Sequence, residues 1–195
     1  MVHPRRARIG GLAVILALAT GAGASVDTAS EPACAMPPRP AGLVPATVRR
    51  VVDGDTVSVR LEDRREELVR LIGIDSPELH ESAKLAREAA RTGRDAATIQ
   101  ALGRRAARVM AGILPRGRRV DLELDAEPRD REGRLLAYVW REDGTLVNLA
   151  LLDAGYARLL TIPPNVRHAH RFRACLAEAR AARRGLWAAP TWDPR

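Results

Sequence analysis

From Val57 to Leu61 the chain alternates Val-Ser-Val-Arg-Leu, the period of two expected of a half-buried strand. Residues 62–67 are charged enough to form a hairpin turn, and an apolar run from Leu68 to Ile74 predicts a second strand, the start of a β-meander. Residues 82–114 change period. Ile99, Leu102, Ala106, Val109 and Ile113 recur at spacings of three and four, which predicts a buried helical face. Gly93 and Gly103 weaken that pattern locally, so the expectation is an irregular first half and a firm helix from about Asp95, a suitable cap, to the stop at Pro115.

Strand alternation returns at Val120, Leu122 and Leu124 and again from Leu135 to Trp140, after a polar turn at residues 129–133. Residues 147–154 predict a short helix stopped by Gly155. Residues 166–186 predict a last helix with Ala169, Phe172, Leu176 and Ala179 on one side and arginines on the other. The order is strands, helix, strands, two helices. An α+β fold, a small five-stranded barrel packed by helices, accommodates that order.

The N-terminal segment departs from this pattern. Arg5, Arg6 and Arg8 precede an uncharged stretch from Ile9 to Ala22, and Ala22-Gly23-Ala24 offers a small-residue cleavage site. Residues 1–24 therefore read as an export signal, and the protein as secreted or periplasmic. A membrane anchor is the alternative, although the stretch is short against the roughly 20 residues of a span. Residues 25–46 carry five prolines between Pro32 and Pro45 and read as an extended arm, with the ordered domain from about Thr47 to residue 188 and a C-terminal tail over 189–195.

Charge and cysteine count refine the picture. The net charge of +8 falls to +5 if residues 1–24, with three arginines and no acid, are removed. A basic surface favours polyanions without identifying one. Of 32 basic residues only Lys84 is a lysine, and arginine supplies planar forks suited to phosphate. Cys34 and Cys175 are too few for a metal site; in an oxidising compartment they suit a disulfide, with two free thiols as the alternative.

The chemistry concentrates in two short stretches, Asp-Gly-Asp-Thr at 53–56 and RLIGIDSPE at 70–78. Each has a plain explanation taken alone: Asp-Gly is a common turn pair, and Ser-Pro ends strands. Together they place Asp55, Asp75 and Glu78 at strand ends or adjoining turns, with Arg70 at the start of the apolar run and a further turn, Asp-Arg-Glu-Gly-Arg, at 130–134. Carboxylate and carbonyl oxygens are the ligands of hard cations such as Ca²⁺ and Mg²⁺, and so few of them leave room for water or substrate. His80, His168 and His170 lack a supporting pattern and read as solvated surface residues.

These motifs, with Gly133-Arg134, Leu136-Ala-Tyr138, Val147-Asn148, Ala150-Leu151 and Gly155, resemble the staphylococcal-nuclease-like family, the thermonucleases, over residues 48–187. The resemblance implies an α+β fold with a five-stranded OB-type β-barrel packed by three helices, and a Ca²⁺-dependent hydrolase of DNA or RNA phosphodiester bonds that leaves 3′-phosphate ends; a monomer with no stable protein partner is the expectation. It implies that Asp55 and Asp75 hold Ca²⁺ through carboxylates and Ser76 through its carbonyl, that Arg70 and Arg134 grip the phosphodiester, and that Glu78 acts on the attacking water. The chain departs from the pattern where relatives carry pocket tyrosines: Glu132, Leu160 and Ile162 stand there instead. Base stacking on an aromatic contributes roughly 1–3 kcal/mol per base, so their loss weakens nucleotide binding more than phosphate chemistry. The competing reading is a non-catalytic OB-fold module that binds nucleic acid or protein.

Overall fold

The computed structural model describes residue 1, residues 32–189 and residue 192. The expected export signal lies outside the described residues. The chain divides between Ser30 and Glu31, and every element among the described residues belongs to the unit that begins at Glu31.

Five strands close a barrel in the order β1-β2-β3-β6-β5: β1 (Val44–Val51), β2 (Thr56–Leu61), β3 (Glu66–Leu71), β5 (Arg119–Glu123) and β6 (Leu135–Arg141). All pairings are antiparallel except β3 with β6. The alternation in β2 is realised as Val57 and Val59 wholly buried against Val48, Val69 and Leu71. β1 starts at Val44, before the expected Thr47.

The single strand expected over 68–74 is two. β3 ends at Leu71, and β4 (Gly73–Asp75) leaves the barrel to pair with β7 (Arg158–Leu160) in a separate two-stranded ribbon. Gly73, at φ +80°, supplies the left-handed turn between them, and a Cβ there would stand 2.8 Å from the Phe172 ring. The apolar run continues through the break because both segments are buried, which hydrophobicity alone cannot distinguish from one strand.

The helical region at 82–114 is also two elements, so four helices pack the barrel. α1 (Ala83–Thr92) is regular, capped by the Ser82 side chain at the Leu85 N–H and closed by Gly93 in the left-handed region. α2 (Ala96–Ile113) starts at Asp95, whose carboxylate accepts from the Thr98 N–H at 2.8 Å. Its buried face is Ile99, Leu102, Gly103, Ala106 and Met110, with Val109 and Ile113 only partly covered. Gly103 belongs to that face for a steric reason: a Cβ would lie 2.6 Å from the Glu78 carbonyl oxygen.

α3 (Val147–Asp153) and α4 (Ala169–Ala181) pack on each other and close the remaining side. Cys34 and Cys175 form a disulfide that ties the proline-rich arm to α4. Trp192, near the C-terminus, is buried against Leu102, Leu186 and Trp187. Among the described residues no helix is long and apolar enough to cross a membrane.

Candidate active site

Strand pairing brings the expected residues together. Thr56 at the start of β2 faces Arg70 in β3, so the turn at 53–55 abuts the Arg70 guanidinium. Its Nε lies 3.3 Å from Asp55 Oδ1, and its Nη2 lies 3.3 Å from Asp75 Oδ1. Nη1 donates to the Leu71 carbonyl at 2.6 Å. One guanidinium thus spans two buried carboxylates that are 20 residues apart in sequence.

Ser76 locks the loop to the turn. Its N–H and its hydroxyl both donate to Asp55 Oδ2, at 2.7 and 3.0 Å. Such close approach needs Gly54, where a Cβ would stand 2.7 Å from both Ser76 Cβ and Ala106 Cβ. Burial pushes the Asp55 carboxyl up, but Arg70, Lys84 and the Ser76 N–H outweigh it and hold it at about 2. In its neighbour Asp53 burial, then the Asp55 charge, outweighs the hydrogen bond from the Asp55 N–H and the Lys84 charge and pushes the carboxyl up to about 7.

Glu78 and Arg134 stand further out. Glu78 Oε1 accepts from the N–H groups of Leu79 and His80 at 3.1 and 3.3 Å, while Oε2 lies 3.8 Å from Lys84 Nζ. Arg134 touches none of the other expected residues. Its Nε donates to Asp130 Oδ2 at 2.7 Å and its Nη2 lies 3.3 Å from Glu132 Oε2. Asp53, Asp55, Arg70, Asp75, Glu78 and Arg134 nevertheless line one open cleft of about 860 Å³, whose far wall includes Leu160 and Ile162.

Two cations that contact Asp75, Arg158 and Lys84, are not among the site residues expected from the sequence. Asp75 in β4 lies opposite Arg158 in β7, and Arg158 places Nε and Nη2 each 2.9 Å from Asp75 Oδ2 while Nη2 reaches Glu88 Oε1 at 3.1 Å. Lys84 sets Nζ 2.9 Å from Asp75 Oδ1 and 3.4 Å from the Ser76 carbonyl oxygen. Burial lowers its pKa, but Asp55 and Asp75 prevail and raise it above 10.5. Arg158 gave no sequence signal because β7 is three residues long. Lys84 did: it is the lone lysine of the chain.

The Lys84 contact also tests the donor set for a metal. A cation already sits on Asp75 Oδ1 and the Ser76 carbonyl, beside the ionised Asp55. Hard oxygens that together accept an ammonium are chemically suited to Ca²⁺ or Mg²⁺.

His168 is not a solvated residue. Its Nε2 lies 3.1 Å from Glu123 Oε2, and its ring meets Tyr138 edge-on with centroids 4.5 Å apart. Glu123, buried, also accepts from Trp140 Nε1 at 2.7 Å and Arg167 Nη1 at 2.9 Å. This network lies outside the cleft lining and holds α4 to the barrel. His80 and His170 are exposed.

Comparison with known proteins agrees with the geometry. The family model described as "Staphylococcal nuclease homologue" matches residues 68–189. The chain is 35% identical over 140 residues to the thermonuclease of Staphylococcus intermedius, covering 72% of this chain and 74% of that protein. It is 31% identical over 140 residues to the thermonuclease of Staphylococcus hyicus, covering 72% and 73%. Endonuclease YhcR of Bacillus subtilis is 31% identical over 154 residues, which are 77% of this chain and 12% of that protein. With its barrel, its two acidic stretches and these relatives, the chain belongs to the staphylococcal nuclease homologue family.

Proposed function

We infer that the protein is a calcium-dependent nuclease that hydrolyses phosphodiester bonds of DNA, with RNA as a further substrate, and leaves 3′-phosphate ends. The observation that carries this reading is the Arg70 guanidinium spanning Asp55 and Asp75 in a cleft shared with Glu78 and Arg134. Asp55, Asp75 and the Ser76 carbonyl would hold the cation. When bound, such an ion neutralises charge that builds on the phosphate oxygens.

The side chains supply the rest. Arg70 donates from Nη1 to the Leu71 carbonyl and from Nη2 to Asp75, and pairs through Nε with Asp55, so one N–H on Nη1 and one on Nη2 are left for a phosphate. Arg134, held at Nε by Asp130, keeps Nη1 for the same purpose. Their fixed positive charge favours the transition state, in which negative charge on the phosphoryl oxygens is greatest. Glu78 Oε2, which accepts no backbone hydrogen bond and lies 3.8 Å from Lys84 Nζ, is the carboxylate oxygen that can take a proton from a water attacking phosphorus. Cleavage of the bond between phosphorus and the 5′ oxygen then leaves the 3′-phosphate and a 5′-hydroxyl.

The Cys34–Cys175 disulfide supports an oxidising compartment, hence a secreted or periplasmic location. A monomer suffices for the chemistry, since every group named comes from one chain. The non-catalytic binding module draws support from Glu132, whose carboxylate stands 3.3 Å from Arg134 where a polyanion would pass. Mass spectrometry of a short single-stranded DNA incubated with the protein, with Ca²⁺ or with chelator, separates the two. The nuclease reading requires 3′-phosphate fragments with Ca²⁺ alone; saturable binding with intact DNA would establish the module instead.

A further inference from the structure

Lys84 occupies the second position of α1, after Ser82 and Ala83. The free N–H groups of a helix start make a cation unfavourable there. What holds it lies outside the helix: Asp75 Oδ1 at 2.9 Å, the Ser76 carbonyl at 3.4 Å and Glu78 Oε2 at 3.8 Å. In a chain that otherwise uses arginine for every basic position, the one compact ammonium sits on two of the three groups assigned above to the divalent cation. A planar guanidinium could not present a point charge in that way.

Asp75 Oδ2 is engaged by Arg158, so Oδ1 is the oxygen that faces both Lys84 and Arg70. We propose that Lys84 is a tethered competitor of the divalent cation: its ammonium occupies the Asp75 and Ser76 oxygens when metal is scarce and leaves them when metal binds. This rests on the metal assignment of the preceding section. The side chain is 37% exposed and carries a flexible four-carbon stem, so it can swing into the open cleft without moving α1. The apparent metal affinity is then the intrinsic affinity reduced by the fraction of molecules in which Lys84 has left. The site stays charge-balanced without metal, and half-occupancy requires a correspondingly higher metal concentration than an unopposed site would.

Two readouts other than activity test this. Calorimetric titration of Ca²⁺ into the wild type and into Lys84→Met, which keeps much of the stem and removes the charge, is expected to show binding to both, at least about tenfold tighter in the variant. Lys84→Gln serves as a second neutral variant, and circular dichroism before titration confirms that each is folded. Equal or weaker Ca²⁺ binding by the folded neutral variants overturns the competitor while leaving the metal assignment intact. No heat with any of the proteins overturns both. Because there is a single lysine, protein labelled with ¹⁵N at lysine Nζ gives one side-chain signal. That signal is expected to shift with the same midpoint as the calorimetric titration; a signal unchanged at metal saturation overturns the proposal.

Discussion

Asp75 and Arg158 lie directly opposite each other in the β4–β7 ribbon, and Arg158 sets two nitrogens on Asp75 Oδ2, both at 2.9 Å, while also reaching buried Glu88. The ribbon outside the barrel thus holds a carboxylate of the cleft. Removing one partner of a buried pair costs about 3–5 kcal/mol, because the other charge is left uncompensated. Arg158→Met is therefore expected to lower the unfolding free energy by about 3 kcal/mol in urea titration. A change below about 0.5 kcal/mol would show that the ribbon pair is dispensable.

Gly103 sets two effects against each other. Alanine at a helix interior gains about 1 kcal/mol over glycine, but here its Cβ would stand 2.6 Å from the Glu78 carbonyl oxygen. Backbone cannot yield as a flexible side chain does, and overpacking costs about 1–3 kcal/mol. Gly103→Ala is expected to be destabilising by chemical denaturation, and also to slow cleavage by moving Glu78. A stabilised, fully active variant would contradict the close packing of the loop on α2.

Glu123 gives the fold a pH dependence distinct from that of the cleft. Burial alone would push its carboxyl up, yet hydrogen bonds from His168, Trp140 and Arg167 hold it below the ordinary 4.5. A depressed folded value means that the stabilisation is present above pH 4.5 and is lost as pH falls through the lower folded value. The melting temperatures of wild type and Glu123→Gln should therefore differ at neutral pH and converge in acid. A gap that persists unchanged far below pH 4 would remove Glu123 from the acid response.

The disulfide joins positions 141 residues apart. Cross-linking so long a segment limits the unfolded chain and typically contributes about 2–4 kcal/mol. Replacing both cysteines by serine should lower the unfolding free energy by that amount and leave the cleft intact. Loss of cleavage without loss of stability would tie the arm to the site directly.

The barrel was legible because the alternating apolar residues Val57, Val59, Val120 and Leu122 are all buried in its core, although Ser58 and Glu123 between and beside them are buried too. The division of 68–74 was not: Ile72 and Ile74 are buried on both sides of the Gly73 turn, so the hydrophobic pattern carries no mark of the break. In the sequence Gly103 only weakens the helical pattern, whereas in the fold it is the close contact that seats the Glu78 loop, a relation between positions far apart in sequence. Asp55, Arg70, Asp75 and Ser76 were legible through their motifs and meet in space. Arg158 was not, since only the register of a three-residue strand brings it to Asp75.

The central claim is that Glu78 acts on water within a metal-dependent phosphodiesterase cleft. The most direct measurement is the initial rate of single-stranded DNA cleavage by wild type and Glu78→Gln, each with Ca²⁺ and with chelator. The account predicts cleavage by the wild type with Ca²⁺, none with chelator, and a rate about 10²–10⁴-fold lower in the variant. Chelator-insensitive cleavage, or a variant as fast as the wild type, would contradict it.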